Sequence, residues 1–221
     1  MDVVDPSTGT MIKTYEEHTE SDVTEALNRS IEAFDSWSAR SIRDREQLLV
    51  AAGDVLRDNK REYAETMTRE MGKPITQAIG EVEKCAWVCD HYAENASTYL
   101  DPNSHPSPPG STVKTEYEPL GPVLAVMPWN FPFWQVFRFA APSLTAGNVG
   151  LLKHASNVPG CARAIEEVFR EAGYPDGVFQ SLLVPSSHVD DMLADDRVKA
   201  ATLTGSGPAG RAVASKAGDE L

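Results

Sequence analysis

The feature that most constrains the fold is an alternation of short apolar runs with amphipathic stretches, which begins at Gly121. Four such runs occur, and each is followed by a stretch with helical periodicity. The runs are PVLAVM (122–127), NVGLLK (148–153), FQSLLV (179–184) and VKAATLT (198–204). This pattern predicts an α/β fold, in which a parallel sheet carries helices on both faces. In such sheets ligands bind beyond the carboxyl ends of the strands.

Residues 1–100 have a different pattern, a short extended segment followed by helices. The extended segment covers 3–14 and contains a Pro-Ser-Thr-Gly turn at 6–9. Ser21 opens the first helix in a capping signature, and a long helix is predicted from about 75 to 100. In the α/β part, we expect helices after residue 127 and over 159–172, 187–194 and 208–217.

The segment between these two regions predicts a loop and a strand. DPNSHPSPPG (101–110) has four prolines in ten residues, which is typical of a loop or linker. Residues 112–117 alternate in the manner of a strand that could pair with another element or subunit. We therefore divide the chain into an N-terminal region (1–100), a loop with an oligomerisation-type strand (101–120) and an α/β core (121–221).

The composition limits the partners that this chain can have. Apolar residues are 41% and charged residues 24% of the 221 residues, which is near the average for globular proteins. The 33 acidic and 20 basic residues give a net charge of -13, so nucleic acid and anionic membranes are not expected partners. The N-terminus lacks the features of a signal peptide and three cysteines fit a reducing compartment, so we expect a cytoplasmic protein.

Each notable polar cluster follows a predicted strand. Trp129 and Asn130 follow the first strand, residues 153–156 the second, and Gly205 with Ser206 the fourth. Because the carboxyl ends of parallel strands share one edge of the sheet, these clusters are predicted to converge.

The cluster TGSGPAG (204–210) is suited to an anion. Its glycines let a backbone approach a ligand closely, and the helix that begins near Pro208 directs free N–H groups toward it. The alternative is a glycine-rich turn that serves geometry only, and the sequence alone does not decide between the two.

Lys153 in LLKHAS is placed to meet a ribose or phosphate, with Ser156 as a second donor, although an isolated lysine is more often a solvated surface residue.

The stretch PWNFPFWQVFR (128–138) combines an amide, aromatic rings and a cation. Asn130 either caps a helix or holds an amide donor at the strand exit, where it can stabilise an oxyanion on a carbonyl substrate. Phe131, Trp134 and Arg138 share one helical face, and the Arg138 guanidinium is predicted to reach back toward Asn130. This geometry suits a short substrate with a carbonyl at one end and a carboxylate at the other, although Arg138 alone also reads as an ordinary surface cation.

The cysteines do not form a recognisable metal motif. Cys85 and Cys89 lie one helical turn apart with His91 nearby, and Cys161 opens a later helix, but four-ligand spacings are absent. Buried structural thiols are the favoured interpretation.

PWNFP, LLKHAS and LTGSGPAG follow one another in this order within 121–210, and together they resemble the cofactor domain of the aldehyde dehydrogenase superfamily. The segments LLKHAS and NFPFWQVFR are similar in sequence to the corresponding segments of bacterial and archaeal succinate-semialdehyde dehydrogenases. The resemblance implies a Rossmann-like, doubly wound parallel sheet preceded by an N-terminal helical region.

The resemblance also implies site roles. Asn130 would be the oxyanion-hole amide, and Arg138 would bind the carboxylate of succinate semialdehyde beside Phe131 and Trp134. The residues that would hold NADP or NAD are Met127, Trp129, Lys153, Ser156, Gly205 and Ser206. In the family an acidic residue at the position of Ser156 favours NAD, because it accepts from the 2′-hydroxyl and repels a 2′-phosphate. The serine here leaves NADP admissible and slightly favoured.

Family catalysis needs a cysteine nucleophile and a glutamate base, both of which lie downstream of the TGS segment. We therefore expect an N-terminal part of an aldehyde dehydrogenase, with the catalytic domain absent, inactive alone and homo-oligomeric in its full-length form. Two alternatives remain open: a non-catalytic nucleotide-binding remnant, and an acyl-CoA- or acyl-phosphate-linked reductase of the same fold.

Overall fold

The computed structural model describes residues 1–220, which begin with a small antiparallel hairpin and four helices. Strands β1 (Asp2–Val4) and β2 (Met11–Thr14) pair around the predicted turn. The helices are α1 (Glu20–Ser38), α2 (Ile42–Asp58), α3 (Lys60–Met71) and α4 (Ile75–Tyr99). Within the described chain, no helix is both long enough and apolar enough to cross a bilayer.

The first helix starts at a different residue from the one predicted. The Thr19 hydroxyl accepts from the Asp22 N–H at 3.2 Å, and the Asp22 carboxylate accepts from the Thr19 N–H at 2.8 Å. The prediction of Ser21 was wrong because Thr19 has its capping partner three residues on, whereas Ser21 already lies in the first turn.

The segment predicted as a loop contains a strand. Strand β3 (Asn103–His105) pairs antiparallel with β4 (Val113–Thr115), so the prediction of a loop over 101–110 was wrong in part. The prolines at 106, 108 and 109 occupy the connection between the strands, and residues 103–105 remain free to donate to the ladder. Every residue of both strands is exposed.

A four-stranded parallel sheet forms the second half of the chain, as predicted. The strands are β5 (Pro122–Met127), β6 (Val149–His154), β7 (Phe179–Ser181) and β8 (Ala200–Leu203), and their order is β7-β6-β5-β8. The connecting helices are α5 (Pro132–Thr145), α6 (Pro159–Glu171), α7 (Val189–Leu193) and the final α8 (Gly207–Asp219). The direction of winding reverses between β5 and β8, which defines a topological switch point at that edge.

Alternate residues of the central strands face two separate cores. Leu124 and Leu151 pack with α1 and α7, while Ala125 and Leu152 pack with α5, α6 and the other N-terminal helices. Both faces of the sheet are therefore covered, and the doubly wound α/β prediction is confirmed.

The third predicted strand is shorter than expected. It ends at Ser181, and beyond it the Leu183 carbonyl accepts from the His18 N–H at 2.9 Å. The helix predicted over 187–194 is a 3₁₀ turn (Ser186–His188) followed by the five-residue α7.

One buried arginine joins the ends of two helices in this architecture. Arg45 is 7% exposed, and its Nε donates to the Thr145 carbonyl at 2.8 Å. Its Nη1 donates to the Ser38 carbonyl at 3.3 Å and also to the Arg40 carbonyl. The free carbonyls at the ends of α1 and α5 are therefore satisfied by one side chain.

We expect Arg45→Met to lower the free energy of unfolding by about 3 kcal/mol, since several buried carbonyls lose their donor. Urea unfolding followed by circular dichroism measures this. Arg43→Met, on the exposed side of α2, is the control and should stay within about 0.5 kcal/mol of the parent. Equal stability of both variants would contradict the capping role.

Candidate functional site

The loops that follow β5, β6 and β8 meet around a cavity of about 400 Å³. Pairing of Val126 with Leu203 and of Met127 with His154 brings the three strand ends to one edge. The predicted residues that line this cavity are Met127, Trp129, Lys153, Ser156 and Gly205. Three separate motifs of the sequence thus contribute to one cavity, as their positions after the strands predict.

Lys153 is the most unusual side chain of this cavity. It is 6% exposed, so the alternative of a solvated surface lysine was wrong. Burial lowers the pKa of its ammonium group. Its backbone pairs with Val126 in the sheet, but its ammonium makes no ion pair or side-chain hydrogen bond within the described chain. The side chain is largely buried while the ammonium borders the cavity, so an anionic or oxygen-rich ligand there would replace the water that the ammonium has lost.

The cavity has both apolar and polar side chains in its lining. Val126, Leu203 and Val213 belong to it, and Val126 and Val213 also pack on the core formed with α7. Lys153, the sheet partner of Val126, and Ser156 line it at the end of β6. One carboxylate, that of Asp190 on α7, also lines it. Such a mixed lining suits a ligand with an apolar ring and a polar, hydroxyl-bearing portion.

The start of α8 is open to this cavity. Ser206 is the N-cap residue, and its hydroxyl accepts from the Ala209 N–H at 3.3 Å. A Cβ on Gly205 would make only ordinary contacts, 3.6 Å from Leu203 and 3.8 Å from Ala209. The protein's own packing therefore does not require a glycine there, which favours close approach of a ligand as its reason.

Helices α5 and α6, unlike α8, start against a protein carboxylate. Glu81 accepts from the N–H groups of Phe133 and Trp134 at the start of α5, both at 2.9 Å. Glu70 accepts from those of Gly160 at 2.8 Å and Cys161 at 2.9 Å at the start of α6. Among α5, α6 and α8, only α8 keeps the positive end of its dipole for a ligand.

Asn130 lies at the exit of β5, and its side chain is exposed. It is not the N-cap of α5: that position is Phe131, and Glu81 supplies the capping oxygen. The helix-cap alternative for Asn130 was therefore wrong. Its amide group makes no hydrogen bond within residues 1–220, whereas its backbone carbonyl accepts from the Lys73 ammonium at 3.3 Å.

The aromatic and cationic residues of α5 have partners that the sequence did not predict. The Lys73 ammonium lies 3.7 Å from the centre of the Phe131 ring, and the Lys84 ammonium 3.8 Å from that of Trp134. Arg138 donates to the Thr204 hydroxyl at 3.3 Å, and Thr204 lines the cavity. The expected reach of Arg138 toward Asn130 is thus replaced by a contact with the loop after β8.

His154 is a buried residue that the sequence reasoning missed. Its Nε2 donates to the Pro132 carbonyl and its Nδ1 accepts from the Ala155 N–H, both at 2.9 Å. Burial lowers the pKa of the imidazole from its ordinary 6.5 to about 4, so the ring is neutral. It ties the end of β6 to the start of α5. A histidine inside an unbroken apolar strand was the available signal.

The three cysteines are buried and make no disulfide. Burial raises the pKa of Cys85, Cys89 and Cys161, so all three are thiols of low nucleophilicity. Within residues 1–220, no group of three or more His, Cys, Asp or Glu side chains is arranged to hold a metal ion.

A larger cavity of about 480 Å³ lies beside the edge strand β7 and the end of α6. Its cations are paired within the protein: Arg163 with Glu166 at 3.0 Å, and Arg170 with Glu167. The Tyr174 hydroxyl of this cavity is also buried without a hydrogen-bond partner, but it carries no charge. The smaller cavity, which has the Lys153 ammonium without a protein counterion, is therefore the better candidate site for an anionic ligand.

Comparison with known proteins agrees with this architecture. The model of the aldehyde dehydrogenase family matches residues 1–221. The chain therefore belongs to the aldehyde dehydrogenase family.

Two curated relatives carry the name succinate-semialdehyde dehydrogenase with NADP(+). The one from Synechocystis sp., named as probable, is 50% identical over 218 residues, and the one from Mycobacterium leprae is 46% identical over 220. Each match covers 99% of this chain and 48% of the relative, so the chain spans about half the length of these relatives. The solved succinic semialdehyde dehydrogenase of Streptococcus pyogenes with NADP+ superimposes with a TM-score of 0.96 at 33% identity, over 100% of this chain and 48% of that one.

We expect His154 to contribute to the loss of stability in acid. Between pH 6.5 and about 4, His154 binds a proton in the unfolded chain but not in the folded chain. Its contribution to the free energy of unfolding is therefore fully present above pH 6.5 and is lost as the pH falls through this range. The loss reaches about 3 kcal/mol at the acid end. His154→Gln should flatten the pH dependence of the urea-unfolding free energy, whereas His105→Gln, on the exposed hairpin, should not. Parallel curves for all three proteins would contradict this.

Proposed function

We propose that this chain forms the cofactor-binding part of an NADP-preferring aldehyde dehydrogenase that oxidises succinate semialdehyde. The observation that carries the proposal is Lys153, buried at 6% exposure and without a partner in the described chain, in a cavity that also borders the open start of α8. The family membership and the names of the relatives support it.

The cavity residues fit the parts of a dinucleotide. The apolar side chains of Val126, Leu203 and Val213 suit the adenine ring. Lys153 and Ser156 would hold the adenosine ribose, and Gly205 with Ser206 at the start of α8 would receive the pyrophosphate.

The backbone of Met127 and the Trp129 ring would border the nicotinamide end, and NADP would supply a hydride acceptor there when bound. Ser156 is exposed at the end of β6 and adds no negative charge there, which supports acceptance of a 2′-phosphate. Asp190 is the one carboxylate among the described residues that line the cavity, and it lies on α7, whereas Ser156 follows β6.

The substrate end of the proposed site is at the start of α5. The free Asn130 amide would donate to the oxygen of the reacting aldehyde, whose negative charge grows in the transition state. The exposed Arg138 would bind the carboxylate at the other end, beside Phe131 and Trp134. Because burial raises the pKa of all three cysteines of this chain, none of them is proposed as the nucleophile.

The proposed domain organisation follows the same scheme. Residues 1–100 support the cofactor core, residues 101–120 form an association element, and residues 121–221 form the core itself. A two-stranded ribbon is marginally stable by itself, and the β3–β4 ribbon is fully exposed, which supports pairing with another subunit in a homo-oligomer.

We expect Lys153→Met to weaken NADP+ binding about 10- to 100-fold, because a charge-assisted hydrogen bond to the ligand is lost while the stem volume is kept. Isothermal titration calorimetry of the purified chain measures the dissociation constant. Lys60→Met, which removes an exposed ammonium paired with Glu83, is the matched control and should bind as the parent does. Unchanged affinity of Lys153→Met would overturn the assigned site. Tight binding without aldehyde oxidation by the natural polypeptide would favour a non-catalytic binding module.

We expect Arg138→Leu to raise KM for succinate semialdehyde about 10- to 100-fold, since the carboxylate loses its counterion. The matched control is an uncharged aldehyde of the same chain length, for which KM should change little. Steady-state kinetics of the polypeptide as its source cells make it measure both values. Equal changes for the two substrates would refute a carboxylate-binding role.

A further inference from the structure

The turn that joins β5 to α5 is held by two buried charged residues of the N-terminal helical region. Lys73, between α3 and α4, is 7% exposed, and Glu81, on α4, is 4% exposed. They form an ion pair with each other. Buried charges of this kind are stable only when their hydrogen bonds are satisfied. The groups that Lys73 and Glu81 bond to therefore identify the part of the chain that the pair fixes in place.

Glu81 fixes the far side of the turn. One of its carboxylate oxygens accepts from the backbone N–H groups of Phe133 and Trp134, both at 2.9 Å, and the other pairs with the Lys73 ammonium. The first turn of α5 is therefore bonded to α4 through one carboxylate.

Lys73 fixes the near side of the turn. Its ammonium donates to the backbone carbonyl of Asn130 at 3.3 Å and lies 3.7 Å from the centre of the Phe131 ring. The backbone on both sides of Phe131 is thus held, while the Asn130 side chain is exposed and makes no hydrogen bond within the described chain. This arrangement immobilises the backbone that carries the amide and leaves the amide free for a ligand.

We propose that Lys73 and Glu81 are positioning residues that orient the Asn130 amide toward the reacting carbonyl oxygen. The proposal rests on the proposed function, in which that amide is the oxyanion donor. Such donors act through preorganisation, and a displacement of about 1 Å at a reacting centre can cost about 100-fold in rate. A buried pair resists displacement because moving either partner leaves an uncompensated charge.

The start of α6 provides an internal control. Glu70 is buried at 7% exposure and binds the N–H groups of Gly160 and Cys161 much as Glu81 binds those of α5. It forms no ion pair with a lysine in the described chain and holds no residue of the proposed carbonyl site. Glu70→Gln therefore perturbs a buried helix cap of the same kind without touching the Asn130 turn.

The test is a double-mutant cycle in the natural polypeptide between Asn130→Ala and each of Lys73→Met and Glu81→Gln. Glu81→Gln keeps an acceptor for the two N–H groups, so it serves if Lys73→Met does not fold. Each positioning variant should lower kcat for the aldehyde about 10-fold or more, with KM for NADP+ within about 2-fold of the parent. In the Asn130→Ala background the same substitutions should have almost no further effect on kcat. Glu70→Gln should leave kcat within about 2-fold of the parent.

If each double variant lost kcat by the product of the two single-variant factors, the proposal would be overturned, because the residues would then act independently of the amide.

A second readout does not need turnover: the ¹⁵N order parameter of the Asn130 side-chain amide should fall in Lys73→Met and Glu81→Gln but not in Glu70→Gln. Equal order parameters in all four proteins would also overturn it. A parent without aldehyde oxidation would refute the proposed function, and the order parameters would still decide whether the pair orients the amide.

Discussion

The structure depends on two carboxylates of the N-terminal helices that accept hydrogen bonds from the α/β part of the chain. Glu81 and Glu70 satisfy the backbone N–H groups at the starts of α5 and α6, where the N-cap residues, Phe131 and Val158, make no side-chain cap. These contacts fasten the helical region to the sheet at the edge where its strands end. They also occupy the positive ends of two helix dipoles and leave that of α8 uncovered.

This arrangement explains how a chain with a net charge of -13 can offer a site for an anionic ligand. The net negative charge of the chain repels such a ligand at long range, so the attraction must come from groups in direct contact with it. In the proposed site, the ammonium of the largely buried Lys153 and the open start of α8 would supply it within one cavity, where screening by salt is weak. Family membership agrees with this picture, and the dinucleotide assignment builds on it.

Much of the fold could be predicted because its signals are local. Continuous apolar runs and helical periodicity predicted the four strands and the winding of the sheet. Convergence of the strand ends predicted that polar motifs from three strands meet, and Met127, Trp129, Lys153, Ser156 and Gly205 do line one cavity. Glu81 was missed because its partners, the N–H groups of Phe133 and Trp134, lie about fifty residues along the chain. Its place within the apolar stripe of α4, between Ala78 and Val82, was the only local sign. The burial of Lys153 is likewise a tertiary effect that its own segment does not encode.

The most direct test of the account is hydrogen–deuterium exchange of this chain with and without saturating NADP+. The account predicts protection concentrated at the ends of β5 and β6 and at the start of α8, around Met127, Lys153 and Gly205. Protection centred instead on the cavity at Arg163 and Tyr174, or no protection anywhere, would contradict the claim that this edge of the sheet is the cofactor site.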